Sequence, residues 1–524
     1  NSNGVLWCQS MAALGRPDSF SYLLMHLKFT RNTPRKPRSA VHMVILSSVW
    51  LATFGNLALW RSFVAVPEIA GWQGLLFGIG FGIVITGLIS AVLAALSWRF
   101  TLKPAIIVML SLAAFATYYM LMYGVVVNTS MVQNVFQTDY REAKDQLSWQ
   151  LALTVFVLAV VPSIWIWQQV IAEKSFAKQL LSNTCLFTAS ILIALGTLQI
   201  VFHDFASLMK SHTEMRFQIN PLNSLYGVLR LTVFPSNVDR GPMQTIGMDA
   251  QIQPNNIPQA PPLLVLVLGE TARSQNFSLN GYTRPTNPRL EKLNVASFTQ
   301  VKSCGTSTAE SIPCMFSHLG REGFLDRKND YENMLDVLQH AGYAVLWIDN
   351  QSGCKEQCTR IPNINTSNLT IKKYCQHGEC LDSVMIDQLP EELSKLSAER
   401  RSRGTVIVLH QMGSHGPAYF KRTPEEFKHF KPECSDSSLS QCKREEIVNA
   451  YDNTILLTDH FLSQVIGWLK TQEKHSTPAM LYVADHGESL GENNLYLHGL
   501  PYAMAPAEQK TVPMITWLSP SFEQ

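Results

Sequence analysis

The chain has 524 residues, with 42 Lys and Arg against 40 Asp and Glu. That length allows several domains, and charges that nearly cancel leave no broad basic field, so nothing in the composition speaks for nucleic acid as a partner. The apolar residues are unevenly spread: up to about His203 they form long runs with few charges, and beyond Pro258 the chain reads as an ordinary mixed globular sequence.

Residues 1–40 form an arm, basic and proline-punctuated at Arg31, Arg35, Lys36 and Arg38. The stretch Asn1 to Leu24 has no secretory n-region, cleavage site or clear periodicity, so it reads as an upstream extension with Met25 as the native start. Residues 41–203 contain five apolar runs, at Val41 to Val64, Gly74 to Leu96, Pro104 to Val127, Trp149 to Trp167 and Ser182 to Phe202. Each is close to the ~20 residues that cross a ~30 Å hydrocarbon core. Arg31 to Arg38, then Arg99 with Lys103, then Lys174 with Lys178 flank one side, which predicts an inside N-terminus and, after five crossings, an outside location for everything past His203. Trp60, Trp72, Trp98, Trp149 and Trp165 or Trp167 suit interfacial anchors, and Gly78, Gly80 and Gly82 suit close helix packing. Cys185 falls inside a span, where packing is its expected role.

Residues 204–262 read as a bridge. Phe205 to Leu231 mix apolar and charged positions as interfacial helices do, and Asn237 to Pro262 is rich in Pro, Asn and Gln, as a tether is.

Residues 263–524 then read as an α/β/α sandwich. Leu263 to Leu268 is apolar at every position, the pattern of a strand covered on both faces. Tyr343 to Ile348, Thr405 to Leu409 and Ala479 to Val483 repeat it, and helical patterns precede them, most clearly Ile447, Ala450, Leu457, Phe461, Val465 and Leu469. Alternating strand and helix predicts a mainly parallel sheet, with working residues at the strands' carboxyl ends. Those ends carry Glu270, then Asp349 and Asn350, then His410 and His415, then Asp485 and His486. Each alone also suits a cap or turn, but the four sets share one edge.

Between the first two strands lies Ser303-Cys304-Gly305-Thr306-Ser307-Thr308-Ala309, followed by Cys314. Hydroxyls on a small-residue turn between two cysteines suit a nucleophile held up by a pinned backbone, and Thr308 is the candidate, although Ser/Thr clusters also cap helices. Glu270, Asp485 and His486, with the Thr308 oxygen as a fourth donor, make a tetrahedral set that zinc accepts. Zinc moves the pKa of a bound water from ~15.7 to ~7, and a bound threonine hydroxyl should respond in the same sense. Lys355, His415 and His498 are candidates to neutralise a phosphoryl group, with a loop histidine and a solvated lysine as the plain alternatives.

Four gap-free blocks carry a family resemblance: Gly269-Glu270-Thr271-Ala272-Arg273, the Ser303 to Ala309 turn, His410-Gln411-Met412-Gly413-Ser414-His415-Gly416-Pro417, and Asp485-His486-Gly487-Glu488-Ser489-Leu490-Gly491-Glu492-Asn493. They are similar to the motifs of the lipid A phosphoethanolamine transferases, the group that includes the mobile colistin-resistance enzymes, whose soluble domain is of alkaline-phosphatase or sulfatase type. The resemblance implies that Thr308 is the nucleophile that becomes phosphoethanolaminylated and that Glu270, Asp485 and His486 are the other zinc ligands. It implies that Ser352, Lys355, His415 and His498 bind the phosphoethanolamine group or a second metal. It also implies that Asn134, Thr138 and Glu142, in the loop after the third run, contact the lipid donor. The reaction it implies has two steps: phosphatidylethanolamine gives its headgroup to Thr308, releasing diacylglycerol, and a lipid A phosphate then takes it. The implied setting is the inner membrane of a Gram-negative bacterium with the catalytic domain in the periplasm, a monomer among membrane lipids, and polymyxin resistance as the consequence. Related chains continue beyond the strand-like Val512 to Leu518, so a final helix or strand is expected to be missing at Gln524.

Eight of the ten cysteines lie from Cys304 onward. Close spacing favours disulfides Cys304 with Cys314, Cys354 with Cys358, Cys375 with Cys380 and Cys434 with Cys442, which an oxidising compartment would preserve. A structural zinc site at Cys354, Cys358, Cys375 and Cys380 is the rival, at spacings unlike the usual knuckles. Three alternatives for function stay open: transfer to core sugars or periplasmic glucans instead of lipid A, a membrane-anchored phosphatase or sulfatase, and a non-enzymatic anchor with a binding ectodomain. Thr308-Ala309-Glu310 does not fit the Cys/Ser-x-Pro-x-Arg setting of sulfatases.

Overall fold

The computed structural model describes residues 36–69, 71–138, 140–233, 241–252, 260–376 and 379–522. Arg31, Arg35, Met25 and the rest of the arm before Lys36 lie outside the described residues, as do parts of the tether, at 234–240 and 253–259.

Five helices are long and apolar enough to cross a membrane, with mean hydropathy between 1.6 and 2.3. They are α1 (Ala40–Val64), α2 (Trp72–Ala95), α3 (Leu102–Tyr123), α5 (Trp149–Gln168) and α6 (Phe176–Ile200), with α4 (Thr129–Gln137) between the third and fourth. Helix α2 meets α6 closely: a Cβ on Gly80 would sit 2.7 Å from Val201 and one on Gly87 2.9 Å from the Ser190 carbonyl. The sequence expects close helix packing at Gly78, Gly80 and Gly82: Gly80 meets the end of α6, and Gly78 and Gly82 meet Phe63 and Trp60 of α1. Cys185, expected to pack within its span, is on the exposed side of α6 instead.

Span ends differ from the apolar runs for local reasons. Helix α3 stops at Tyr123 rather than Val127 because Gly124 takes a left-handed φ of 67°, and a Cβ there would lie 2.8 Å from the Asn494 carbonyl. Helix α6 starts before Ser182, at Phe176, because its first turns pack polar groups inward: Gln179 and Asn183 both donate to the Ser97 carbonyl at 2.8 Å. The basic loops gather at one end of the spans, where Arg99 pairs with Glu173 at 3.0 Å and Lys103 donates to the Trp167 carbonyl. The opposite end of α3 meets the soluble domain, where Tyr123 donates to the Ser437 carbonyl at 3.1 Å.

The bridge is helical, as its mixed pattern predicts: α7 (Phe202–Ser211), a 3-10 stretch Thr213–Gln218 and α8 (Leu222–Thr232). Buried Asn56 in α1 anchors it by donating to the Asn220 carbonyl and accepting from the Asn220 amide, at 2.7 and 2.8 Å. The segment expected to be a loop after the third span is helical too, because Asn128 caps α4 by accepting from Met131 N at 2.8 Å.

The soluble domain is built on a seven-stranded sheet. Its strands are β1 (Pro262–Gly269), β2 (Val295–Lys302), β3 (Ala344–Asp349), β4 (Asn363–Asn365), β5 (Thr405–His410), β6 (Thr477–Ala484) and β7 (Thr511–Leu518). Their spatial order is β2-β7-β6-β1-β5-β3-β4. The pairs around β1 are parallel, and β7 runs antiparallel to both β6 and β2. Strand β1 is apolar throughout because both faces are covered: Val265 and Val267 pack with Ile455 and Phe461, and Leu266 and Leu268 with Ile312 and Trp347. Burying each such side chain contributes about 1.5–3 kcal/mol. Ile455 and Phe461 belong to α10 (Arg444–Gln472), and Ile312 to α9 (Thr308–Met315). Helices thus cover both faces of the sheet. All four close-spaced cysteine pairs are disulfides, so the rival metal reading of Cys354, Cys358, Cys375 and Cys380 is overturned.

Candidate metal and nucleophile site

Register brings the site together. Strand β1 pairs Leu268 with His410 of β5 and Gly269 with Ala484 of β6, so the residues that follow, Glu270 and Asp485 with His486, leave the sheet side by side. Helix α9 then presents Thr308 as its first residue, after Ser307 at the cap position. The disulfide Cys304–Cys314 fastens the turn to the far end of that helix, and Ser311 fastens the helix to the sheet by donating to the Asp485 carbonyl at 2.5 Å. A helix N-terminus favours negative charge on the oxygen it carries.

The result is a tight polar cluster. Thr308 Oγ1 lies 3.3 and 3.2 Å from the two Glu270 carboxylate oxygens and 3.4 Å from His486 Nε2. One ligand atom each from Glu270, Asp485 and His486 falls within 4.8 Å of the others, and all three residues are buried. His486 Nδ1 donates to the Gly487 carbonyl at 3.0 Å, which leaves Nε2 to offer a lone pair toward the cluster. Asp485 Oδ1 accepts from the Thr271 and His486 amides, while Oδ2 is buried with no hydrogen-bond partner. Burial lowers the His486 pKa, but Asp485 and Glu270 outweigh it and push the imidazole up to about 10. Burial and the Glu270 charge together push Asp485 up to about 6. The cluster therefore demands positive charge at its centre, and a divalent cation meets that demand better than a proton. The orphaned Asp485 oxygen and the free face of His486 fit such an ion.

Around it the other candidates fall at different depths. The His498 ring lies tilted against that of His486 with centroids 4.2 Å apart, and the His415 ring lies 5.8 Å from that of His498. Lys355 donates to Ser352 Oγ at 2.9 Å and Ser352 to Gln351 Oε1 at 2.7 Å. Asn134 on α4 reaches the loop that carries His498, its Nδ2 being 3.5 Å from where a Cβ on Gly499 would stand. Thr138 turns back on its own helix, donating to the Asn134 carbonyl at 2.8 Å. The Glu142 side chain lies outside what is described. Asp349 and His410 form a buried pair at 2.8 Å one layer below, and Asn350 donates to Asp382 instead of facing the site.

Three supporting residues escaped the sequence reading. Gln351 joins Ser352 to the cluster by donating to Glu270 Oε2 at 3.2 Å; its position just past a strand's carboxyl end was the available signal. Asp382 accepts from the Met412 and Gly413 amides and shapes the loop before His415, a role no pattern marks. In that loop Gly413 has φ 50°, and a Cβ would stand 2.8 Å from the Glu270 carbonyl. Glu488 pairs with His498 Nδ1 at 2.7 Å and accepts from the Tyr419 hydroxyl. Burial pushes its carboxyl up to about 8.

Comparison with known proteins matches residues 85–233 to the family model "Phosphoethanolamine transferase EptA/EptB" and residues 262–524 to "Sulfatase". The chain is 37% identical to phosphatidylethanolamine transferase Mcr-2 of Escherichia coli over 90% of this chain and 88% of that one. It is 35% identical to phosphoethanolamine transferase EptA of Escherichia coli K12 over 92% and 87%. Among solved structures it resembles the integral membrane protein lipooligosaccharide phosphoethanolamine transferase A (EptA) from Neisseria meningitidis, with a TM-score of 0.86 at 33% identity, covering 94% of this chain and 90% of that one. The chain belongs to the phosphoethanolamine transferase family of EptA and Mcr, with a membrane domain of five apolar helices and a soluble domain of sulfatase type.

Proposed function

We propose that this protein transfers phosphoethanolamine from phosphatidylethanolamine to a phosphate of lipid A through a covalent Thr308 intermediate, at a site that takes one zinc ion. The observation that carries it is the contact of Thr308 Oγ1 with both the Glu270 carboxylate and His486 Nε2 at 3.2–3.4 Å. Glu270, Thr308, Asp485 and His486 would hold the ion, which supplies Lewis acidity that makes the threonine alkoxide accessible at neutral pH.

In the first step Thr308 Oγ1 attacks phosphorus, the bond from phosphorus to the diacylglycerol oxygen breaks, and diacylglycerol leaves with a proton. His415 and His498, gathered beside His486, carry that proton to the leaving oxygen, and Glu488 fixes the His498 ring for it. Lys355, oriented through Ser352, neutralises a phosphoryl oxygen. In the second step an oxygen of the acceptor phosphate attacks the same phosphorus, the bond from phosphorus to Thr308 Oγ1 breaks, and Thr308 recovers its proton. Asn134, Thr138 and Glu142 contact the lipid donor from the membrane side. A second metal during turnover would use the same histidines.

The spans lie in the inner membrane of a Gram-negative cell with the soluble domain in the periplasm, consistent with four disulfides and with basic loops at the opposite end. The working unit is a monomer in contact with membrane lipids. Adding a cationic headgroup lowers the negative charge of the surface and with it polymyxin binding. Mass spectra of lipid A from cells with and without the protein test this, together with intact mass of purified protein exposed to phosphatidylethanolamine. A phosphoethanolamine increment on lipid A and on the Thr308 peptide is expected; unmodified lipid A with release of free phosphoethanolamine would replace transfer by hydrolysis.

A further inference from the structure

Three cations crowd the outer flank of the nucleophile turn. Lys302 ends β2 and stands in register with Thr511, to whose hydroxyl it donates at 2.7 Å. Lys510 precedes that threonine, and its carbonyl accepts from the Ser303 amide at 2.8 Å. The Arg321 guanidinium lies 3.7 Å over the Tyr502 ring, with the Lys510 ammonium 5.3 Å from the same ring. Arg321 Nε donates to the Cys304 carbonyl at 3.0 Å and the Tyr502 hydroxyl to the Ser303 carbonyl at 3.0 Å, so the group is built onto the turn itself. Among the described residues none of the three cations has an ion pair within 4.0 Å. Burial, together with the charges of Lys302 and Arg321, holds the Lys510 ammonium below its ordinary range.

Beside them is a cavity of about 210 Å³ lined by Cys304, Glu310, Arg321 and Tyr502, and by Asn128 and Ser130 from the membrane domain. It opens where the two domains meet. Like charges drawn together, offset only in part by the Glu310 carboxylate of the neighbouring cavity, cost free energy, and an anion that docks among them returns some of it. Phosphate suits this geometry, since a guanidinium and two ammonium groups offer it several charge-assisted bonds. Phosphate here could come from the acceptor or from an anionic phospholipid of the bilayer. The transfer consumes one phosphate at Thr308, and a bis-phosphorylated acceptor arrives with another.

We propose that Lys302, Arg321 and Lys510, arranged around Tyr502, form a docking subsite for the second, non-reacting phosphate of a bis-phosphorylated glycolipid acceptor. This assignment rests on the transferase reading. The subsite aligns the acceptor for the second step and takes no part in the first.

The test uses the full chain in lipid nanodiscs and separates the two half-reactions. For Lys302→Ala with Lys510→Ala, adduct formation on Thr308 from phosphatidylethanolamine should stay within about twofold of the parent. KM for the bis-phosphoryl acceptor should rise at least about tenfold, and KM for whichever monophosphoryl acceptor is still modified should not move. Arg321→Lys should recover part of what Arg321→Gln loses. Equal KM changes for both acceptors, no change for either, or a parallel drop in adduct formation would overturn the subsite. So would phosphatidylglycerol in the nanodiscs raising the parent KM as far as the double substitution does, which would make the cluster a phospholipid contact. A parent protein that forms no Thr308 adduct overturns the transferase reading and the subsite with it, whereas a normal adduct with an unmoved acceptor KM overturns the subsite alone.

Discussion

Gln351 Nε2 donates to Glu270 Oε2 at 3.2 Å, and that bond links the candidate metal-ligand cluster to the Lys355 loop through Ser352. Glu270 Oε1 is already occupied by the Thr271 hydroxyl at 2.7 Å, so the two bonds fix both oxygens of the carboxylate. A side chain held this way loses little freedom when it takes a cation, and partners of ligands typically contribute about 10–100-fold in affinity. Gln351→Leu keeps the bulk and removes the donor. It should weaken zinc binding by that factor while leaving the fold intact, as read by competition with a chromophoric chelator. Unchanged zinc affinity would make Gln351 a spectator.

Lys355 and Glu356 both hold left-handed φ values, 47° and 68°, inside the short Cys354–Cys358 loop. Non-glycine residues adopt such angles at a cost of order 1–3 kcal/mol, which the closed loop enforces. Replacing both cysteines by serine should let Lys355 relax away from Ser352. The expected result is a several-fold rise in KM for phosphatidylethanolamine with a smaller effect on kcat. A double variant with parent kinetics would show that Lys355 finds its place without the bridge.

Much of this architecture can be read from local pattern. Strand β1 shows as a strand because both its faces are buried, and the five spans show because every window of a span is apolar. Strand β2 does not: most of its residues face outward or are half-exposed, so no apolar run marks it, and β7 reveals its antiparallel direction only through pairing with β6 and β2. At the site, Glu270, Asp485 and His486 are legible because strand ends in a parallel sheet converge. Gln351 and Asp382 are not, because their work is hydrogen bonding to groups far away in the sequence. Helix α4 hides for a similar reason, since what holds it is packing against α8 and α9, both far away in the sequence.

Thr308 stands at the N-terminus of α9 with its hydroxyl turned into the cluster, and its methyl does none of the chemistry proposed here. Thr308→Ala should reduce transfer at least about a thousandfold and eliminate the adduct, with the melting temperature nearly unchanged. Thr308→Ser should keep the adduct at a reduced rate, because a serine hydroxyl has more rotamers to lose. Intact-mass measurement separates these outcomes, and an adduct on the alanine variant would move the nucleophile to another residue.

Asp459 of α10 gives the fold a pH dependence away from the site. Its side chain is fully buried and accepts from the Leu290 and Arg289 amides at 2.9 and 3.1 Å, with the Arg289 guanidinium 3.7 Å away. Burial outweighs these favourable contacts and pushes the carboxyl up to about 6. The unfolded chain releases the proton near pH ~3.9, so between about pH 4 and 6 the folded state holds a proton that the unfolded state has lost. The sign follows: this group stabilises least above pH ~6, where the buried carboxylate is charged, and its penalty disappears below pH ~4. The magnitude is on the order of 2–3 kcal/mol. Asp459→Asn keeps an acceptor for one amide, cannot charge, and gives up one hydrogen bond worth about 1 kcal/mol. Relative to the parent it should therefore be less stable at pH 4 and more stable at pH 7. Thermal unfolding of the full chain in detergent, followed by near-ultraviolet circular dichroism at both pH values, measures the crossing, and parallel curves for parent and variant would show that the Asp459 carboxyl titrates at its ordinary pH.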